Sequence, residues 1–150
     1  MKRILFYILL LAFVLVVPVE RVDIATLRPV QTVAVTFANK ECCIVTDTGN
    51  LGVGENALSA LEDLKRTTPG IIYLDTADYL LVSEGAQEQA QMLRSYMSDS
   101  VRVYQLLGTP DLEEVSAYLQ IHDGGVRLSR WKPGMQLPVL DGREARLKLL

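Results

Sequence analysis

Gly49-x-x-Gly52-x-Gly54 lies between a strand-like segment and a helix-like one, the position at which phosphate-binding loops occur. Its spacing departs from both known phosphate signatures. A dinucleotide loop is written GxGxxG, and a P-loop ends in lysine followed by Ser or Thr, whereas Gly54 precedes Glu55-Asn56. A carboxylate there suits the helix dipole and repels a phosphate, so the segment reads as a structural loop. Asp75 and Asp78 bracket a turn, with Asp47 and Glu84 at the ends of neighbouring segments. Gathered at one sheet edge, such acids would do acid-base work or bind a divalent cation. Singly, Asp is a turn residue that bonds nearby amides, which is the simpler reading. The residues that would edge a small-ligand pocket are therefore Gly49, Gly52, Gly54, Asp75 and Asp78.

The remaining reactive types are sparse. Cys42 and Cys43 are adjacent on a predicted strand, so they face opposite ways and do not pair with each other. His122 is the only histidine, and no ligand set at zinc spacing accompanies it. It falls on the apolar stripe of a predicted helix near its carboxyl end, where an imidazole suits the exposed carbonyls. No serine elbow and no Cys-His pair is present, so nucleophilic catalysis has no support. The expectation is a non-enzymatic chain with no cofactor, no catalytic residue and no bound metal. Trp131 beside Pro133-Gly134 is expected to cover the edge of a small core.

The strongest single instruction lies at the amino end, where Lys2-Arg3 precedes an uncharged stretch from Ile4 to Val19. As a helix it would reach roughly 24 Å, somewhat less than a hydrocarbon core of about 30 Å. No small-x-small cleavage pair follows it, which favours an uncleaved signal anchor over a secretory peptide. The basic head places the amino end in the cytoplasm and the rest outside. Thus residues 1–19 are predicted to be a single-pass anchor in the bilayer, 20–30 a tether, and 31–150 an extracytoplasmic domain. Lys2 and Arg3 are two of the 15 basic residues, so beyond Val19 13 bases face 18 acids, a formal charge of −5. That balance, without a basic cluster interleaved with aromatics, excludes a nucleic-acid surface.

The elements that must position these residues follow from periodicity. Gln31 to Phe37 alternates, Asn39-Lys40 is a turn, and Glu41 to Asp47 is the partner strand of a hairpin. Residues 48–54 break all periodicity. Ala57, Leu58, Leu61 and Leu64 then mark a helix that stops at Thr67-Thr68-Pro69-Gly70. Ile71 to Leu74 and Tyr79 to Val82 are short enough to be buried strands. Ala86, Ala90, Leu93 and Met97 line a second helix opened by Ser83-Glu84-Gly85, and Val101 to Leu107 is a strand. Thr109-Pro110 is expected to start a third helix, with Leu112, Val115, Leu119 and His122 on one stripe and Gly124-Gly125 ending it. Val126 to Leu128, Gln136 to Leu140 and Ala145 to Leu149 complete the chain as strand-like pieces, with a final hairpin. The predicted fold class is α+β, a mixed sheet with about three helices.

In this pattern the exported part resembles the first domain of the spore germinant-receptor C subunits, the Ger(x)C family. The similarity runs over Glu20-Arg21-Val22-Asp23-Ile24 and Val33-Ala34-Val35, the loop and helix Gly52-Val53-Gly54-Glu55-Asn56-Ala57 to Leu61, and Tyr79 to Ala86. The lipobox cysteine of that family is absent, and Thr76-Ala77-Asp78 stands where it carries a histidine, so no site is carried over. The order strand, helix, strand, strand, helix from Glu41 to Ser98 is also similar to the ring-building modules of secretion and sporulation channels. Both resemblances imply an extracytoplasmic accessory or assembly domain of a membrane complex in a spore-forming bacterium, with membrane-protein partners. The alternative is a small-ligand or cation-binding sensor domain.

Overall fold

The computed structural model describes residues 27–143 and 147–150; the predicted anchor, most of the tether and part of the last strand-like piece lie outside the described residues. Alternation in the first hairpin produces β2 (Thr32–Ala38) and β3 (Glu41–Thr46), paired antiparallel from Val33↔Thr46 to Ala38↔Glu41. Asn39 and Lys40 both take positive φ, 53° and 65°. Two such residues in succession match the strand twist in a two-residue hairpin. Cys42 and Ile44 face one side of β3 and are buried, while Cys43 and Val45 face the other and are half-buried.

Two segments read as irregular are strands. Leu27–Pro29 is β1, at the end of the expected tether, and Val30 after it is fully buried. Leu51–Gly54 is β4, antiparallel to β3 through Cys42↔Gly54 and Val45↔Leu51. Its alternation escaped detection because it is inverted, with Leu51 and Val53 outward and glycine in the inward positions. The turn joining β3 to β4 is closed by Gly49 N–H to the Thr46 carbonyl at 2.9 Å, with Gly49 at φ +79°.

Helix α1 (Ala57–Thr67) starts where the local chemistry dictates. Asn56 Oδ1 accepts the Leu58 and Ser59 amides at 3.0 Å each, and Ser59 Oγ accepts the Asn56 amide at 3.1 Å, a reciprocal capping box. Strand β5 (Ile71–Tyr73), a 3-10 turn at Leu74–Thr76 and β6 (Tyr79–Ser83) follow. The second helix is shorter than expected: α2 covers Gln87–Met92, and a 3-10 turn at Arg94–Tyr96 takes over. The Leu93 amide is shared between the Ala90 and Gln91 carbonyls, which tightens the last turn. The predicted stripe survives, since Ala86, Ala90, Leu93 and Met97 are all buried.

Strand β7 (Arg102–Leu107) leads to α3 (Leu112–Ile121). Its cap is Asp111 rather than Thr109, with Oδ1 accepting the Glu113 amide at 2.9 Å. Pro110 instead packs on Gly142, where an added Cβ would come within 2.7 Å of the proline Cβ. Leu112, Val115 and Leu119 are buried as expected, but His122 is exposed at the helix end, its ring 4.4 Å from that of Tyr118. Strands β8 (Val126–Arg127), β9 (Val139–Asp141) and β10 (Lys148–Leu149) complete the chain, the last two as an antiparallel pair.

The fold is α+β, as predicted. One sheet of eight strands runs β10-β9-β7-β6-β2-β3-β4, with β8 alongside the start of β7; β1 and β5 form a separate parallel pair. β2, β6, β7 and β9 are mutually parallel at its centre. On one face α1 and α2 cover Val33, Val35, Ile44, Leu80, Val82 and Val103; on the other α3 covers Ala34, Leu81, Tyr104 and Leu140. Trp131 does not cover the core's edge. It is fully buried on the α1 and α2 face, where Leu128 and Leu137 accompany it.

Candidate functional site

The glycine-rich segment is closed to ligands by packing. A Cβ on Gly52 would overlap the Ala60 carbonyl and lie 2.6 Å from Leu64 Cβ, and one on Gly54 would stand 2.5 Å from the Ala60 amide. Glycine therefore lets β4 lie directly on α1. Asp63 completes the joint, its Oδ2 accepting the Val53 amide at 3.1 Å and its Oδ1 meeting Arg66 at 2.6 Å. The Arg66 hydrogen bond, seconded by that amide, holds the Asp63 carboxyl below its ordinary value. The first amides of α1 are also taken, Ala57 by Gln89 Oε1 at 2.9 Å and the next two by Asn56. No donor row remains there for a phosphate.

The acids separate along the sheet. Asp78 and Glu84 flank opposite ends of β6, roughly 20 Å apart at the usual rise of a strand. Asp47 and Asp78 lie near each other through Gln31, whose amide donates to Asp47 Oδ2 at 3.1 Å and whose carbonyl accepts the Asp78 amide at 2.8 Å. Asp47 Oδ1 is buried without a hydrogen-bond partner among the described residues. It belongs to an open cleft of about 520 Å³ against α3, lined by Gln31, Asp47, Thr48, Glu113 and Gln120, with Ser116 bonded to Thr32 at 2.6 Å beneath. Among the described residues no three His, Cys, Asp or Glu side chains are grouped to hold a metal ion.

Asp75 lies elsewhere, in a groove of about 470 Å³ lined by Leu61 and Lys65 of α1, residues 70–75, and Tyr96. Ile71 and Tyr73, expected on a buried strand, are 42% and 41% exposed, and Tyr96 is 43% exposed. Only Ile72 of β5 turns inward. Lys65 Nζ stands 5.3 Å from the Tyr96 ring centroid, a cation-π contact that rims the groove. β5 pairs with β1 alone among the described residues, so its other edge has no ladder partner. An apolar groove beside a free strand edge can accept an extended chain through main-chain hydrogen bonds and alternate side-chain pockets. The sequence carried one signal for this, two large apolar residues in alternation on a strand too short to bury both faces.

The thiols differ in environment. Cys42 is in the core, where burial, and secondarily the neighbouring Cys43 thiol, push its pKa up to about 11. Cys43 is half-exposed on the other face. No protein-family profile matches the chain, and neither curated proteins nor solved structures include one that does.

Proposed function

We propose that the chain is an accessory or assembly domain of a bacterial membrane complex, held outside the cell membrane by residues 4–19 and acting by protein-protein contact rather than catalysis. The observation that carries this reading is the groove along β5, with Ile71, Tyr73 and Tyr96 exposed beside an unpaired strand edge. β1 links the tether directly to that strand. The seven residues Glu20 to Thr26 reach about 25 Å when extended, so the groove stays close to the bilayer and to proteins embedded in it. Tethering raises the local concentration of the domain, and a modest interface then suffices. The likeness to the Ger(x)C first domain supports the same class and a role in germination or sporulation. No helix among the described residues is long and apolar enough to cross a membrane.

The Asp47 cleft supports a second reading, a small-ligand or cation-binding sensor, because a buried carboxylate oxygen without a partner is costly to leave so. Its open mouth and two dispersed acids make it the weaker of the two.

The native cysteines test address and topology together. In intact cells a membrane-impermeant maleimide is expected to label Cys43 on a membrane-pelleting chain. Cys42 stays unreacted because it is fully buried, where its raised pKa also keeps it a thiol, and it reacts only after denaturation. Labelling that requires cell lysis, or a chain that remains in the supernatant, contradicts the reading.

A further inference from the structure

A third cleft, of about 440 Å³, lies at the β8 edge of the sheet and is lined by Arg102, Gly125, Val126, Arg127 and Arg130. Arg102 and Arg127 are directly opposite in the antiparallel β7–β8 ladder. Like charges at that position repel each other, so the ladder is less stable than its length allows. The turn that imposes the arrangement is firmly built. Tyr104, fully buried, accepts the Gly124 and Gly125 amides on its hydroxyl at 3.2 and 2.8 Å. Gly125 must be glycine, since a Cβ would lie 2.6 Å from the Tyr104 ring and 2.8 Å from Arg102 Cβ.

Neutralisation is incomplete. Arg102 meets Asp123 at 3.0 Å and the Gly125 carbonyl at 3.3 Å. The side chains of Arg127 and Arg130 have no hydrogen-bond or ion-pair partner among the described residues, and both residues are exposed. Of the three guanidiniums that line this open cleft, Arg102 alone has a carboxylate partner among the described residues, in a domain whose overall charge is negative. Guanidinium forks match the oxygens of a phosphate or phosphodiester in pairs.

We infer that Arg102, Arg127 and Arg130 form a binding site for a phosphate-bearing anion. The strand register places it: Thr32 is aligned with Tyr79, and Tyr79 with Arg102. Arg102 therefore starts its strand at the edge where β2 enters from β1 and the tether, two strand spacings or roughly 10 Å away. This location favours the phosphodiester of a phospholipid headgroup as the source, a refinement that rests on the membrane-anchored reading; the anion site itself does not.

The test is calorimetric titration of the full chain in neutral detergent with inorganic phosphate, with glycerophosphoglycerol and with glycerophosphocholine, beside an Arg127→Gln/Arg130→Gln variant. Binding of phosphate or of glycerophosphoglycerol, weakened about tenfold or more in the variant, is expected from loss of two charge-assisted contacts. Tighter binding of glycerophosphoglycerol identifies the lipid source, and tighter binding of inorganic phosphate a free anion. The variant should also melt no lower than the parent, because it removes cross-strand repulsion and no partnered group. Absence of binding by every anion, or equal binding by parent and variant, overturns the site. A chain found soluble would sink the anchor while leaving the phosphate titration meaningful.

Discussion

Gly52→Ala lowers stability by about 3 kcal/mol and the melting temperature by roughly 10 °C, because overpacking here meets main chain rather than flexible side chain. The new Cβ would fall on the Ala60 carbonyl and against Leu64, whose side chain is wholly buried. Relief requires β4 to move off α1, which breaks the Val53-to-Asp63 hydrogen bond and loosens β4 from β3. Gly49→Ala is the informative comparison. Gly49 sits at positive φ, which Gly52 does not, but nothing lies within 4 Å of its Cβ position. Its cost is therefore conformational only, about 1 kcal/mol. Paired thermal melts check the difference, and equal effects of the two would show that close packing is not what requires glycine on β4.

Trp131→Ala is expected to cost about 4 kcal/mol, the usual range for emptying an aromatic site in a core. That is a large part of the 5–15 kcal/mol a domain has in total. Trp131 is the largest fully buried side chain, and the stretch from Leu128 to Leu137 reaches the core through it. Its Nε1 has no hydrogen-bond partner among the described residues. Replacement by phenylalanine consequently sacrifices volume and no polar contact, and costs about 2 kcal/mol or less. Urea unfolding followed by circular dichroism measures both, since the only tryptophan is the residue replaced. A Trp131→Ala chain as stable as the parent would mean that the 128–137 connection packs at the periphery.

What could be read from the chain before its structure was local. Alternation with Asn39-Lys40 specified the β2–β3 hairpin, and the break over residues 48–54, the spacing of Ala57 to Leu64 and the stop at Thr67 to Gly70 bounded α1, because these turn and stop signals lie within a few residues of what they control; the Asn56 cap was not read. β4 was missed because its inward positions hold glycine, which has no hydropathy to report. β1 was missed because its partner, β5, is far along the chain and each is only three residues long. The same distance effect hid the candidate surfaces. Exposure of Ile71 and Tyr73 depends on β5 standing apart from the main sheet, and convergence of Arg102 with Arg127 depends on β8 folding back on β7. Of the five residues proposed as a ligand edge, Asp75 alone lines one of these three clefts; Gly52 and Gly54 hold β4 on α1, and Gly49 turns a hairpin.

The groove along β5 is the centre of the account, and a photocrosslinker can be placed in it. Benzoylphenylalanine in place of Tyr73, in the full chain within its native membrane, is expected to capture a membrane protein, and the adduct should disappear when Ile71→Glu is added. The same probe at Glu114, exposed on α3 at the opposite face, should capture none. Failure to capture any membrane protein from position 73, or the same adduct from both positions, would contradict an assembly role for this surface.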